Sequence, residues 1–176
     1  MSESIREKAS VRRVVEALAR AGLATSVRVL DDSARTAADA AAALGVEVGQ
    51  IASSIVFRLP DGHPLLVITS GRHRVDTAKV AAALGHAELH RADADYIRAW
   101  TGFAIGGVSP VGWSATASAG VTATGYPREA TVVIDGALGD YEIVWAAAGH
   151  PHAVFATTFE DLARVTGATS LVVADD

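Results

Sequence analysis

The chain has 176 residues, a formal net charge of −5 and apolar side chains at 50% of positions, enough to bury a core and too apolar for global disorder. The acidic balance opposes broad nucleic-acid binding, DNA binding included, because a basic surface supplies most of that affinity, but it permits contact with one end of an RNA. With no cysteine, disulfides, thiolate nucleophiles and cysteine metal sites are excluded; no window reaches the ~18 apolar residues of a membrane span, and the charged start lacks a secretion signal, so a cytoplasmic protein without membrane contact is expected.

Val11, Val14, Val15 and Leu18 recur at helical spacing, and Gly22 stops the pattern. A short strand is expected over 27–30. Thr36 is a predicted N-cap for an alanine-rich helix that ends at Leu44-Gly45. Residues 51–59 and 65–69 read as two strands joined by the Asp61-Gly62 turn, hence a hairpin. Asp76 caps a predicted helix over 77–84 that stops at Gly85. A short strand over 87–90 precedes a helix that opens at Asp93 and runs through Trp100.

A polar, small-residue loop is expected over 114–125. Strands over 131–134 and 143–147 are read as flanking an Asp135-Gly136 turn. A strand over 153–156 and a terminal helix over 159–166, capped by Thr158, complete the chain. Helices and hairpins mix without a βαβ rhythm, so the expected class is α+β. No linker or internal repeat divides the chain; the echo of Ala-Ala-Ala-Leu-Gly at 41–45 and 81–85 is shared helix-end chemistry. One domain over 1–176 is expected, with 1–30 supplying an N-terminal helix and strand.

The most informative stretch is Thr101-Gly-Phe-Ala-Ile-Gly-Gly-Val-Ser-Pro-Val-Gly112. Its glycines permit positive φ and let backbone approach a ligand without a Cβ, while Pro110 stiffens the turn. Such a segment suits a rigid edge whose N–H groups hold a carbonyl or an oxyanion. From glycine content alone, a tight turn without a ligand is the simpler account. Arg72, His73, Arg74 and Lys79 lie close in sequence, as a basic rim of a pocket or a solvated loop would.

Other patterns point less far. His150-Pro151-His152 has metal-like spacing, yet zinc would need a third ligand such as His63 or His73. No Gly-x-Ser-x-Gly elbow is present, and Ser109 precedes a proline, which disfavours a Ser-His-Asp hydrolase. The three tryptophans, Trp100, Trp113 and Trp145, are expected in the core or a pocket wall.

Four motifs in order carry a resemblance: Gln50-Ile-Ala-Ser-Ser-Ile-Val-Phe57, Gly71-Arg-His-Arg-Val-Asp76, the glycine segment 102–112, and Ala148-Gly149-His150. Together they resemble the YbaK/prolyl-tRNA-synthetase-associated domain family. The resemblance runs from about Thr36 to the terminal helix. It implies a barrel-like mixed sheet flanked by helices, and a free-standing domain that hydrolyses mischarged aminoacyl-tRNA. Cofactors and metals have no part in that implied chemistry, and the implied partners are the acceptor end of aminoacyl-tRNA and an aminoacyl-tRNA synthetase. Carried over residue by residue, Gly106, Gly107 and Ser53 take the catalytic positions. Val108, Ser109, Pro110, Arg72, His73, Arg74 and His150 become substrate contacts. Many members carry lysine where Ser53 stands, so the alternative is a non-catalytic member that binds aminoacyl-tRNA or an amino acid. Arg58 is a poor replacement for that lysine, because alternation along the strand turns it to the opposite face.

Overall fold

A computed structural model describes residues 2–31, 34–116 and 120–175. Two N-terminal helices, α1 (Ser2–Arg6) and α2 (Ala9–Arg20), lead into a short strand β1 (Val27–Val29) and helix α3 (Ala37–Leu44). The hairpin β2 (Ile51–Arg58) and β3 (Pro64–Ser70) follows, then α4 (Thr77–Leu84), β4 (His90–Arg91) and α5 (Ala94–Thr101). After a long irregular segment come β5 (Thr131–Asp135), β6 (Val144–His150), β7 (Ala153–Thr157), α6 (Phe159–Thr166) and β8 (Thr169–Leu171).

The strands form one mixed sheet in the order β1-β7-β6-β2-β3-β5-β8, with β4 attached to β2 beside that path. This is the expected α+β class, although among the described residues the two outermost strands β1 and β8 do not pair, so hydrogen bonds do not close the sheet into a barrel. One correction concerns β5 and β6. They do not pair across the Asp135-Gly136 turn. A 3-10 turn over Gly136–Asp140 separates them, β5 runs parallel to β3 and β8, and β6 joins β2 and β7. Asp135 is the reason: its carboxylate accepts from the Ala137 N–H at 2.9 Å and starts a helical turn where a hairpin would need a tight reversal.

Capping chemistry fixes the helices where the sequence places them. Thr36 and Asp39 form a reciprocal capping box on α3, and Asp76, Asp93 and Thr158 each accept a backbone N–H at the start of α4, α5 and α6. Of the loop expected over 114–125, residues 117–119 lie outside the described residues. The main core joins α2 (Val11, Val14, Leu18) to Leu66, Ile68, Phe103, Ile134 and Phe155. A second cluster, around Leu65, Val67, Val80 and Val133, sits on the opposite face of β3 under α4. No helix among the described residues is long and apolar enough to cross a membrane.

Candidate active site

The hairpin register fills one edge of β2 completely: β3 pairs with it from Ala52 to Arg58. The other edge is shared between two strands. β6 runs parallel to it at Ile51 and Ala52, and β4 antiparallel at Phe57 and Arg58. Among the described residues, 53–56 therefore have no strand partner on that side. A cavity of about 270 Å³ opens at this break, walled by Ser53, Ser54, Gly106, Val108, Ala147 and Pro151, with Ala34 and Arg35 at the approach to α3. A second cavity of about 240 Å³ adjoins it and shares Ser54, Gly106 and Val108.

The glycine segment enters the break as a turn. The Gly107 N–H donates to the Ala104 carbonyl at 3.0 Å, and Gly106, third residue of that turn, has φ +85°. Only glycine takes that backbone angle without strain. Gly107 is held differently: a Cβ there would come within 3.1 Å of His150 Cα and 3.2 Å of the Gly149 carbonyl oxygen. The loop thus lies directly on the end of β6, where the β6–β7 register shifts in a bulge between Ala147 and His150.

Side-chain donors hold the loop's carbonyls. Trp113 Nε1 donates to the Ser109 carbonyl at 2.8 Å, and the buried Tyr126 hydroxyl donates to the Pro110 carbonyl. Arg13 of α2 donates to the carbonyls of Gly102 and Gly112 at 2.8 and 3.2 Å. Buried Ser109 adds an internal brace by accepting from the Val111 N–H at 3.2 Å. Gly106 and Val108 both line the cavity, and their N–H groups donate to no acceptor among the described residues. A rigid loop with two unpartnered donors on a cleft is the arrangement that stabilises a developing oxyanion.

Among the residues singled out by sequence, Ser53, Gly106 and Val108 line this cleft, and Gly107 backs it. Ser109 and Pro110 are buried in the loop itself. His150 sits behind Gly107 with its Nδ1 accepting the His152 N–H at 3.1 Å, so a neutral His150 ring carries its proton on Nε2. Arg72, His73 and Arg74 are not among the lining residues. Arg72 bonds the Tyr141 hydroxyl at 2.8 Å and pairs with Asp140 at 3.0 Å. His73 Nδ1 lies 2.7 Å from the buried Asp135 carboxylate, which also accepts from the Ser70 N–H. Lys79 pairs with Asp175. The basic segment is thus largely engaged in tertiary structure.

The cationic side chain that does line the cleft is Arg35, which sequence reasoning passed over. It precedes the Thr36 cap, and only the folding of α3 against β2 brings it to the cavity that Ser53 also lines. Ser54 was also missed. Its Oγ is buried and makes no hydrogen bond, alone in this among the side-chain atoms of the described residues. Its signal was present in the alternation of β2: Ser54 pairs with Ile68 of the main core, where a hydroxyl is out of place. No group of three or more His, Asp or Glu side chains among the described residues is placed to hold a metal ion.

The described sheet is thus open beside its central strand, with the glycine loop set into the opening. Residues 31–165 match the aminoacyl-tRNA editing domain, and the chain belongs to that family. Among solved structures, it superposes with a TM-score of 0.82 and 37% identity on one described as a candidate trans-editing enzyme for prolyl tRNA synthetase, covering 96% of this chain and 99% of that one. A hypothetical protein of known structure shares the fold at 24% identity, with a TM-score of 0.77 and 93% and 99% of the two chains covered. A proline–tRNA ligase of Nitratidesulfovibrio vulgaris (strain DP4) is 29% identical over 93 residues, 53% of this chain. The match spans only 16% of that ligase's length.

Proposed function

We propose that the chain is a cytoplasmic deacylase that acts in trans on mischarged aminoacyl-tRNA, with residues 1–176 working as one editing unit. The observation that carries this reading is the pair of unpartnered N–H groups on Gly106 and Val108, set in the wall of a cleft sized for a small amino acid. The ester carbonyl oxygen accepts from these donors as water attacks the carbonyl carbon. The tetrahedral intermediate then collapses, and the bond to the ribose oxygen breaks. That oxygen takes up the proton lost by the water, leaving a free amino acid and an uncharged tRNA. One well-aimed donor of this kind is worth ~10²–10³ in rate.

No carboxylate or imidazole is among the residues lining the cleft. The proton therefore moves through the substrate's own ribose hydroxyl and the Ser53 hydroxyl, which suits an ester that is already activated. Ser53 orients the ester end. Gly107, Ser109 and Pro110 keep the donors aligned, and His150 fixes the bulge on which the loop rests. Arg35 supplies the positive charge that meets the phosphate of the terminal nucleotide, and Arg72, His73 and Arg74 stand as further substrate contacts next to it in this reading. Much of the remaining wall is apolar, small at Ala34, Ala40 and Ala147 and bulky at Ile51 and Trp145, so selection is by size and shape, at about 1–3 kcal/mol per methylene. The partner is the acceptor end of the tRNA, delivered near a prolyl-tRNA synthetase, as the candidate trans-editing relative and the ligase match suggest.

A panel of tRNAs mischarged with alanine, serine, threonine and cysteine tests this. Ester loss from one of them above the uncatalysed rate, and its suppression by Gly106→Val, is the expected result. Ser53 in place of a cation favours one second reading, a member that binds the aminoacyl end without cleaving it. Tight binding of an intact aminoacyl-tRNA with no ester loss would establish that reading and reject hydrolysis.

A further inference from the structure

The glycine loop is gripped from outside the family segment. Arg13 lies on α2, before the residues 31–165 that match the family. Its Nη2 donates to the Gly102 carbonyl at 2.8 Å and its Nε to the Gly112 carbonyl at 3.2 Å. Those two carbonyls begin and end the loop that carries Gly106 and Val108. Between the two bonds the guanidinium lies 5.0 Å from the centre of the Phe103 ring, and Phe103 is fully buried. A guanidinium presents several donors in one rigid plane, so it can span two carbonyls that a single ammonium cannot.

The same helix holds the loop's support. Ser10 Oγ donates to the Gly149 carbonyl at 2.8 Å, and a Cβ on Gly149 would meet the Ser10 carbonyl at 2.6 Å. Gly149 and His150 are the backbone on which Gly107 rests. Val11, Val14 and Leu18, buried in the main core, fix the helix itself. A single turn of α2 thus touches both the loop's two ends and the bulge beneath its middle.

We infer that α2 is a working part of the site, and that Arg13 is a positioning residue that aims the Gly106 and Val108 N–H groups at the substrate carbonyl. This rests on the deacylase reading above for its kinetic consequence, though not for its structural one. Arg13 touches no substrate. It acts by fixing the span between Gly102 and Gly112, and a slackened loop still admits the ester but meets its oxyanion poorly. The effect therefore falls on kcat and spares KM.

The test uses Arg13→Met, which keeps much of the aliphatic stem but removes every donor, and Arg13→Lys, which keeps one charged donor group. On the mischarged tRNA that the wild type hydrolyses, Arg13→Met is expected to lower kcat by about 10²-fold. KM should change less than threefold, and the lysine variant should recover part of the rate. A rise in KM at unchanged kcat, or a fall in rate that merely follows the unfolded fraction, would overturn the assignment. Amide hydrogen exchange supplies a readout without catalysis. Arg13→Met should speed exchange across 102–112 by at least tenfold while leaving the β2–β3 hairpin unchanged. Should the wild type cleave no ester, faster loop exchange would uphold the clamp and sink only the deacylase reading. Unchanged exchange would sink the clamp itself.

Discussion

Gly107 and His150 touch backbone to backbone: a methyl group on Gly107 would stand 3.1 Å from His150 Cα. Neither partner is the end of a flexible side chain, so the loop must move to admit it. Gly107→Ala should displace the Gly106 and Val108 donors by a few tenths of an ångström and lower kcat by ~10-fold or more. Gly106→Ala acts by another route. Space exists, since the nearest atom is Pro151 Cγ at 3.6 Å, but φ of +85° strains any side chain. It should lower stability by about 1–2 kcal/mol, read as a drop of roughly 2–8 °C in Tm. Equal behaviour of the two variants in both assays would contradict this division.

Arg35 and Arg72 provide a matched pair of arginines. Arg35 lines the cleft, whereas Arg72 is tied to Asp140 and Tyr141. Arg35→Ala should raise KM for aminoacyl-tRNA by about 3–10-fold and flatten its dependence on salt, since one phosphate contact is lost. Arg72→Ala should leave KM within twofold. The reverse ranking, measured across a salt series, would make the basic segment the main contact with the substrate.

Ser54 is expected to separate stability from activity. Its Oγ is buried without a partner, a situation that costs about 1–3 kcal/mol in a folded protein. Ser54→Ala should therefore leave Tm unchanged or raise it. Its rate of hydrolysis should stay within about threefold of the wild type, because a hydroxyl buried away from solvent meets neither substrate nor water. A large loss of rate at unchanged Tm would place the Ser54 hydroxyl in the reaction instead.

His73 should behave oppositely. With the His73 and Asp135 side chains only 6% and 1% exposed, removing the imidazole leaves a buried carboxylate short of a partner. His73→Ala should cost about 1–3 kcal/mol, seen in denaturant midpoints, while the folded fraction keeps its kcat. A selective loss of kcat at normal stability would place His73 in the reaction.

Two tyrosines set the alkaline limit. Burial pushes the Tyr96 phenol up to about 12 and raises that of Tyr126 as well. Both phenols are neutral in the fold where the unfolded chain would ionise them. Their contribution is complete below pH ~10, the ordinary tyrosine value, and drains away as pH rises towards the folded values. Tm should fall between pH 10 and 12, less steeply in Tyr96→Phe. An identical slope in that variant would remove Tyr96 from the account.

Much of the fold could be read directly because its signals are local. Thr36, Asp76, Asp93 and Thr158 cap helices by bonds to residues three ahead, and Asp61-Gly62 turns a hairpin whose strands are neighbours in sequence. The parallel pairings of β3 with β5 and of β2 with β6 are long-range, and no local pattern announces them. The short strand β8 and helix α1 carry too few residues for a period. The site divides along the same line. Gly106, Val108 and Ser53 stand in recognisable motifs, whereas Arg13 and Arg35 matter only through contacts with segments far along the chain.

The division of the β2 edge between β6 and β4 has a consequence for how such a protein can change. A cleft made by strand order exists whatever side chains line it, since no rearrangement of rotamers can supply the missing neighbour at 53–56. The residues on its walls are thereby released from having to create the cavity. They can drift in size and polarity, and so alter which amino acid is accepted, without putting the architecture at risk.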